Sequence, residues 1–368
     1  MESMNTGVDF LSWLDHDMCV KILSCLDDPS DLVRVGCVSR SWRTFVIANG
    51  LCKRLCLKLF PPTRKVYHIV ELSTCSATPS EVGCSGSIER GTLEKEHRAY
   101  AFLARGCVSF PLGGLISDAL CASSTDNYPE ESVRNTLDQR EMVARRASYW
   151  SSTGQRDPSV PEILLYKLVS SVSLVTEISI KPFQAYFQWG APIYSAKSVR
   201  FRIGHVKLQP GMSMDGPFHK LGDENYVWSY TSPIFPMTQE NRLQKFKLPE
   251  PVLCLGGYLQ IELLGRVQRQ EMDGLFYICV CHVEAMGRPL SPAFEADIVE
   301  PSGEIVLKAH SYSQPSLPED QPRPVPSGYF QGNVRHLELI VNMLRGGVDM
   351  EGFNWVNEAD EMDDEFVE

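Results

Sequence analysis

Two runs hold side chains whose types could do chemistry. Cys279-Val280-Cys281-His282 offers two thiols and an imidazole within four residues, the donor types of a zinc site. A closed zinc centre needs a second pair of ligands at matching spacing, and the sequence offers none. The run also sits inside YICVCHVEA, a strand-like stretch in which the cysteines read as small core hydrophobes. Gly83-Cys84-Ser85-Gly86 looks like a nucleophile turn, yet no apolar strand leads into it, so it reads as a flexible linker. The eight histidines, at 16, 68, 97, 205, 219, 282, 310 and 336, are isolated. The sequence has no P-loop, dinucleotide fingerprint, G-x-S-x-G elbow or H-E-x-x-H motif. The chain therefore reads as non-catalytic, with no cofactor and no metal, and its function as binding.

The strongest binding signal lies in residues 10–52. Leu14, Met18, Ile22, Leu23 and Leu26 recur at helical intervals and line one face. Asp28-Pro29 is a helix start, with a carboxylate at the N-cap and proline at the first helical position, and Asp31 adds negative charge to the first turn. Leu32 and Val35 form the stripe of that second helix. Ser39 or Ser41 can open a third, carrying Trp42, Phe45 and Val46 and capped by Asn49-Gly50. At roughly 40 residues such a unit sits at the lower limit of independent folding and needs a neighbour to complete its core. The order of residues from Leu14 to Arg43, above all Val38-Ser39-Arg40-Ser41-Trp42-Arg43, resembles the plant-type F-box. One departure is Asp15, which stands where the family usually has proline. The resemblance implies docking on the small SKP-type adaptor of a cullin–RING ubiquitin ligase. Leu14, Met18, Ile22, Leu26, Pro29, Leu32, Val35, Val38 and Trp42 would then be the adaptor-binding positions.

Bulk properties narrow the classes further. A chain of 368 residues, 43% hydrophobic and 22% charged, has material for two or three globular domains. No apolar run reaches membrane-spanning length, and MESMNTGVDF is not a secretory signal, so a cytoplasmic or nuclear protein with no membrane partner is expected. The twelve scattered cysteines then read as reduced thiols. Nine acidic residues and no base lie in 349–368; without them the net charge of −11 falls to about −2. The rest carries no basic stripe, which argues against a nucleic-acid partner.

The expected fold is multidomain, α plus all-β. An F-box at 10–56 precedes a helical connector and loop at 57–116, including a helix from Thr92 to about Gly106. From 117 to 288 short β-branched and aromatic runs alternate with Pro and Gly, as in an antiparallel sandwich. Within it Ala122-Ser123-Ser124, Asn135-Thr136-Leu137-Asp138, Tyr149-Trp150-Ser151-Ser152 and Pro161-Glu162 through Leu168 occur in the order of the galactose-binding-like or discoidin-type jelly roll. That resemblance implies a sandwich with binding loops at one end and Trp150 as a core anchor. Tyr186, Phe187, Gln188 and Trp189, between two strands, are the candidate substrate-binding residues. A Pro-rich linker (289–330), a short helix (331–346) and a disordered acidic tail (347–368), with Phe353 and Trp355 as a docking motif, complete the reading. The two resemblances together imply a substrate-receptor subunit of an SKP–cullin–F-box ubiquitin ligase. The alternative is an intracellular carbohydrate- or lipid-binding sandwich not coupled to ubiquitination.

Overall fold

Capping chemistry sets the N-terminal helices. The computed structural model describes residues 9–72, 85–143, 146–207, 222–299 and 304–310. Helix α1 spans His16–Leu23 and α2 spans Pro29–Val38. Asp28 accepts a hydrogen bond from the Ser30 amide at 2.8 Å, with Pro29 opening the helix. Ser39 ends α2 and starts α3 (Arg40–Ala48) by accepting from the Trp42 amide at 3.2 Å. Gly50, at φ 56°, takes the left-handed conformation that turns the chain into α4 (Leu51–Leu59).

The stretch expected to be a helical connector contains a strand. After α4 come β1 (Val66–Leu72) and then α5 (Ser85–Ser109), which begins well before Thr92 and makes Ser85 and Gly86 helical instead of linker. The small hairpin finds its neighbour in the chain itself. Leu23, Leu32, Val46, Leu51 and Leu55 share one core with Tyr100, Leu103 and Cys107 of α5. Ion pairs ring that junction, Arg43 to Glu94 at 2.9 Å and Lys53 to Glu96 at 2.8 Å.

The sandwich follows: β2 (Ile116–Ala122), β3 (Glu162–Leu168), β4 (Val172–Gln184), β5 (Ala196–Val206), β6 (Tyr226–Thr231), β7 (Gln244–Leu255), β8 (Tyr258–Arg266) and β9 (Cys279–Pro289). One antiparallel sheet runs β6-β5-β8-β3-β2 and the other is built on β7-β4-β9. Alternation sends Val199, Phe201 and Ile203 of β5 inward to meet Ile178, Ile180 and Val283 from the facing sheet. The expected anchor Trp150 is fully buried, its indole donating to the Ser124 carbonyl at 3.0 Å.

The Ser-Ser, Trp-Ser-Ser and Pro-Glu segments converge on a buried arginine. Arg266 pairs with Glu162, both nearly solvent-free, and donates to Ser152 Oγ at 2.8 Å and to the carbonyls of Thr153 and Phe276. Ser124 Oγ also donates to Glu162, at 2.8 Å. A buried ion pair survives only when its remaining hydrogen-bonding positions are filled, and these serines and carbonyls fill them.

The expected Pro-rich linker at 289–330 is corrected over 294–310. There β10 (Phe294–Val299) and β11 (Glu304–His310) form a small sheet with β1 in the order β1-β11-β10, β1 and β11 running parallel. Phe294, Ile305 and Leu307 join the helical core, Phe294 lying 4.9 Å from Phe102 of α5 between ring centroids. Only Pro301 falls inside these two strands and their connection, so proline content averaged over the whole stretch concealed them. The expected helix at 331–346 and acidic tail at 347–368 lie outside the described residues.

The same core takes in Val172 and Leu174 from the start of β4, Leu253 and Leu255 from the end of β7, and Leu290 just after β9. The helical part and one end of the sandwich are thus joined through packed side chains.

Candidate functional site

Two surfaces collect the residues expected to bind. The first is the outer side of α1 and α2. Leu14, Met18, Ile22 and Val38 are exposed, between 39% and 62%. Val33 (47%) and Trp13 (78%) stand on the same part of the chain and were missed, although the helical spacing of Val33 turns it away from Leu32. Leu26, Val35 and Trp42 are half-buried and packed against the core, and the Trp42 indole donates to Asp9 at 2.8 Å. Pro29 and Leu32 are buried, Leu32 at 1% exposure, so they shape α2 from within instead of facing out. The nine positions therefore divide into an outer aliphatic ridge and an inner supporting layer.

The second surface is the turn after β4. Tyr186, Phe187 and Trp189 are exposed, Trp189 at 89%. Gln188 differs: it is half-buried and accepts from the Tyr194 hydroxyl at 2.5 Å, which makes it a prop for the turn. Gly190 and Ala191, both at positive φ, reverse the chain immediately after Trp189. Tyr186 is held at its base, its hydroxyl donating to Glu141 at 3.2 Å. Lys181 also pairs with Glu141, and its hydrogen bond holds the carboxyl below the usual glutamate range. Beneath the turn, Tyr149 stacks on Phe183 at 3.8 Å. Aromatic side chains of low conformational freedom on such a base suit a contact surface.

The Cys279-Val280-Cys281-His282 run lies on neither surface but inside the sandwich. Burial pushes the Cys279 thiol up to about 12 and the Cys281 thiol up to about 11, so both stay protonated at neutral pH. His282 sets its Nδ1 2.9 Å from the Thr136 carbonyl oxygen, inside the sandwich. Among the described residues no group of three or more His, Cys, Asp and Glu side chains could hold a metal ion. No helix among them is long and apolar enough to cross a membrane.

A family model for F-box-like domains matches residues 16–58, the span of α1 to α4. An F-box protein of Arabidopsis thaliana is 51% identical over 373 residues, covering 98% of each chain. The chain belongs to the F-box family. In its F-box the Asp28-Pro29 and Ser39 caps fix α2 and α3, α4 and α5 close the inner face, and Leu14, Met18, Ile22 and Val38 stay open to solvent.

Among solved structures, the sandwich is similar to a family 32 carbohydrate-binding module of Streptococcus pneumoniae EndoD. The two are 7% identical over 47% of this chain and 98% of that one, with a TM-score of 0.32. An F5/8 type C domain of Bacteroides fragilis is 13% identical over 50% and 93% of the two chains, with a TM-score of 0.30.

Proposed function

We infer that this F-box protein is a substrate-receptor subunit of an SKP–cullin–F-box ubiquitin ligase, acting in the cytoplasm or nucleus. The observation that carries the reading is the asymmetry of the F-box. Its inner face is sealed by the chain's own α4 and α5, while Leu14, Met18 and Ile22 remain exposed at four-residue steps and Val33 and Val38 remain exposed on α2. Single exposed aliphatic residues are ordinary, but a ridge at helical spacing is what a partner's helices can cover. An SKP-type adaptor is that partner.

The receptor works by proximity. It makes and breaks no bonds itself but holds a target's lysines near the charged conjugating enzyme, raising their effective concentration. The geometry suits this. β4 starts in the core shared with the F-box helices and ends at the Tyr186–Trp189 turn. At about 3.3 Å per residue its 13 residues set the turn about 40 Å from that junction. In this reading Tyr186, Phe187 and Trp189 contact the target.

The test is co-purification of the full chain with its SKP-type adaptor. A Leu14→Ala/Met18→Ala/Ile22→Ala variant should lose the adaptor while keeping its melting temperature, since all three side chains are exposed. Adaptor retained at wild-type level would overturn the reading.

A further inference from the structure

The β6-β5-β8-β3 sheet carries a polar hollow on the face turned away from the sandwich core, separate from the Tyr186–Trp189 turn. Register builds it. Across three strands Ile163, Glu262 and Arg200 stand in one row, and Leu165, Gln260 and Arg202 in the next. With Leu164, Tyr166, Val199, Phe201, Ile261 and Leu263 taken by the core, the alternate positions must face out. They enclose a cavity of about 340 Å³, within the usual range for ligand sites, with Ile163, Leu165 and Leu264 as floor and Trp228 as wall. Tyr226 stacks on Trp228 at 5.1 Å and holds the indole upright.

The charges of the hollow already satisfy one another. Glu262 accepts from Arg200 Nε at 2.5 Å and lies 2.7 Å from Arg202 Nε. Asp223 accepts from Arg202 Nη1 at 2.9 Å and from the Trp228 indole at 3.1 Å. Two arginines and two carboxylates leave no net charge, so neither a cation nor an anion has an unopposed partner here. One need is unmet. Gln260 is 3% exposed, and its Oε1 is buried without a donor among the described residues. A buried carbonyl oxygen left so costs free energy until a donor reaches it.

We propose that this hollow is a recognition site for an uncharged carboxamide side chain, asparagine or glutamine, presented by an extended segment of a target protein. A primary amide gives an N–H to Gln260 Oε1 and offers its own oxygen to the neighbouring guanidinium edges. Its flat face lies against Trp228, and its methylenes cover Ile163 and Leu264. The choice of a protein target rests on the receptor reading given above; the carboxamide chemistry rests on Gln260 and the neutral ion-pair grid.

The test uses the full chain and saturation-transfer NMR with Nα-acetyl-L-glutamine amide as probe, against Nα-acetyl-L-norleucine amide and N-acetylglucosamine. The glutamine probe should give a saturable signal several-fold above both controls. Gln260→Leu and Trp228→Ala should each reduce it at least fivefold, and Trp189→Ser should leave it intact. Gln260→Leu removes an amide whose Oε1 has no hydrogen-bond donor among the described residues, so folding should hold; Trp228→Ala, at a half-buried wall, is the second check. Equal signals from norleucine, a response to the sugar alone, or a signal unchanged in both variants would overturn the proposal. Adaptor capture on the same preparations separates the two readings. A missing glutamine signal with adaptor bound removes the hollow alone, and a missing adaptor with the signal intact removes the receptor assignment alone.

Discussion

The F-box ridge and the sandwich turn both offer apolar side chains to solvent, but they are built in opposite ways. The ridge is aliphatic and regular, Leu14, Met18 and Ile22 rising at four-residue steps toward Val38 on the next helix. Its order comes from helix caps at Asp28 and Ser39 and from the buried layer of Leu23, Pro29 and Leu32 behind it. The turn is aromatic and irregular, and polar groups hold it: Glu141 and Asn241 on Tyr186, and Tyr194 on Gln188. A regular aliphatic surface matches a partner that is itself a fixed set of helices. Three rings around a tight turn match a small, particular feature on a partner that varies. On the proposed function, the contrast is between a surface for a constant partner and one for a selective partner, kept at separate places and joined by a core.

The comparison breaks first where buried support is removed. Glu162→Ala leaves Arg266 charged and unpaired inside the sandwich, and chemical denaturation should show a loss of about 3–5 kcal/mol. Adaptor capture at a temperature where the variant is still folded should be unaffected. In α2 adjacent residues should diverge. Leu32→Ala, in the core, should cost about 2–5 kcal/mol, whereas Val33→Ala should stay within about 0.5 kcal/mol and weaken the adaptor complex instead. Equal stability losses at the two positions would erase the distinction between ridge and support.

Trp189→Ala should leave the melting temperature unchanged and weaken target capture by about tenfold, or about 1.4 kcal/mol. Unaltered capture would place recognition elsewhere on the sandwich. The smallest effect concerns the base of the turn. Glu141 has a folded-state pKa held low, first by the hydrogen bond from Lys181. A depressed carboxylate contributes stability above its unfolded value, and that contribution goes as pH falls through the folded value. The Tyr186 ring resonances should therefore shift on acidification below about pH 4.3, the unperturbed glutamate value. Glu141→Gln should remove that step.

Much of this was legible along the chain. Asp28-Pro29, Ser39 and Asn49-Gly50 announce their helix ends because capping is a local transaction between neighbouring residues. Arg200 and Arg202 alternating with Val199, Phe201 and Ile203 announce a half-buried strand for the same reason. What stayed hidden depends on distant pairing. VYHIVEL becomes β1 because β11, more than two hundred residues later, lies beside it, and no local periodicity signals that. The polar grid at Arg200, Glu262 and Gln260 is invisible until register sets three strands side by side, since alternation in LQIEL puts Gln260 and Glu262 on one face without saying which residues they meet. The split of the F-box positions into ridge and support was half legible. Helical spacing gave the stripes, but which stripe faces α4 and α5 is decided by the fold, and it turned Pro29 and Leu32 inward.

The central claim is that the outer ridge of α1 and α2 is completed by another protein. Backbone amide exchange of the full chain, with and without its SKP-type adaptor, tests it directly. The account expects slowed exchange over residues 14–38 on adding the adaptor and none in the sheet strands from 162 to 289. Unchanged exchange at 14–38 in a saturated mixture, or protection confined to the sandwich, would contradict it.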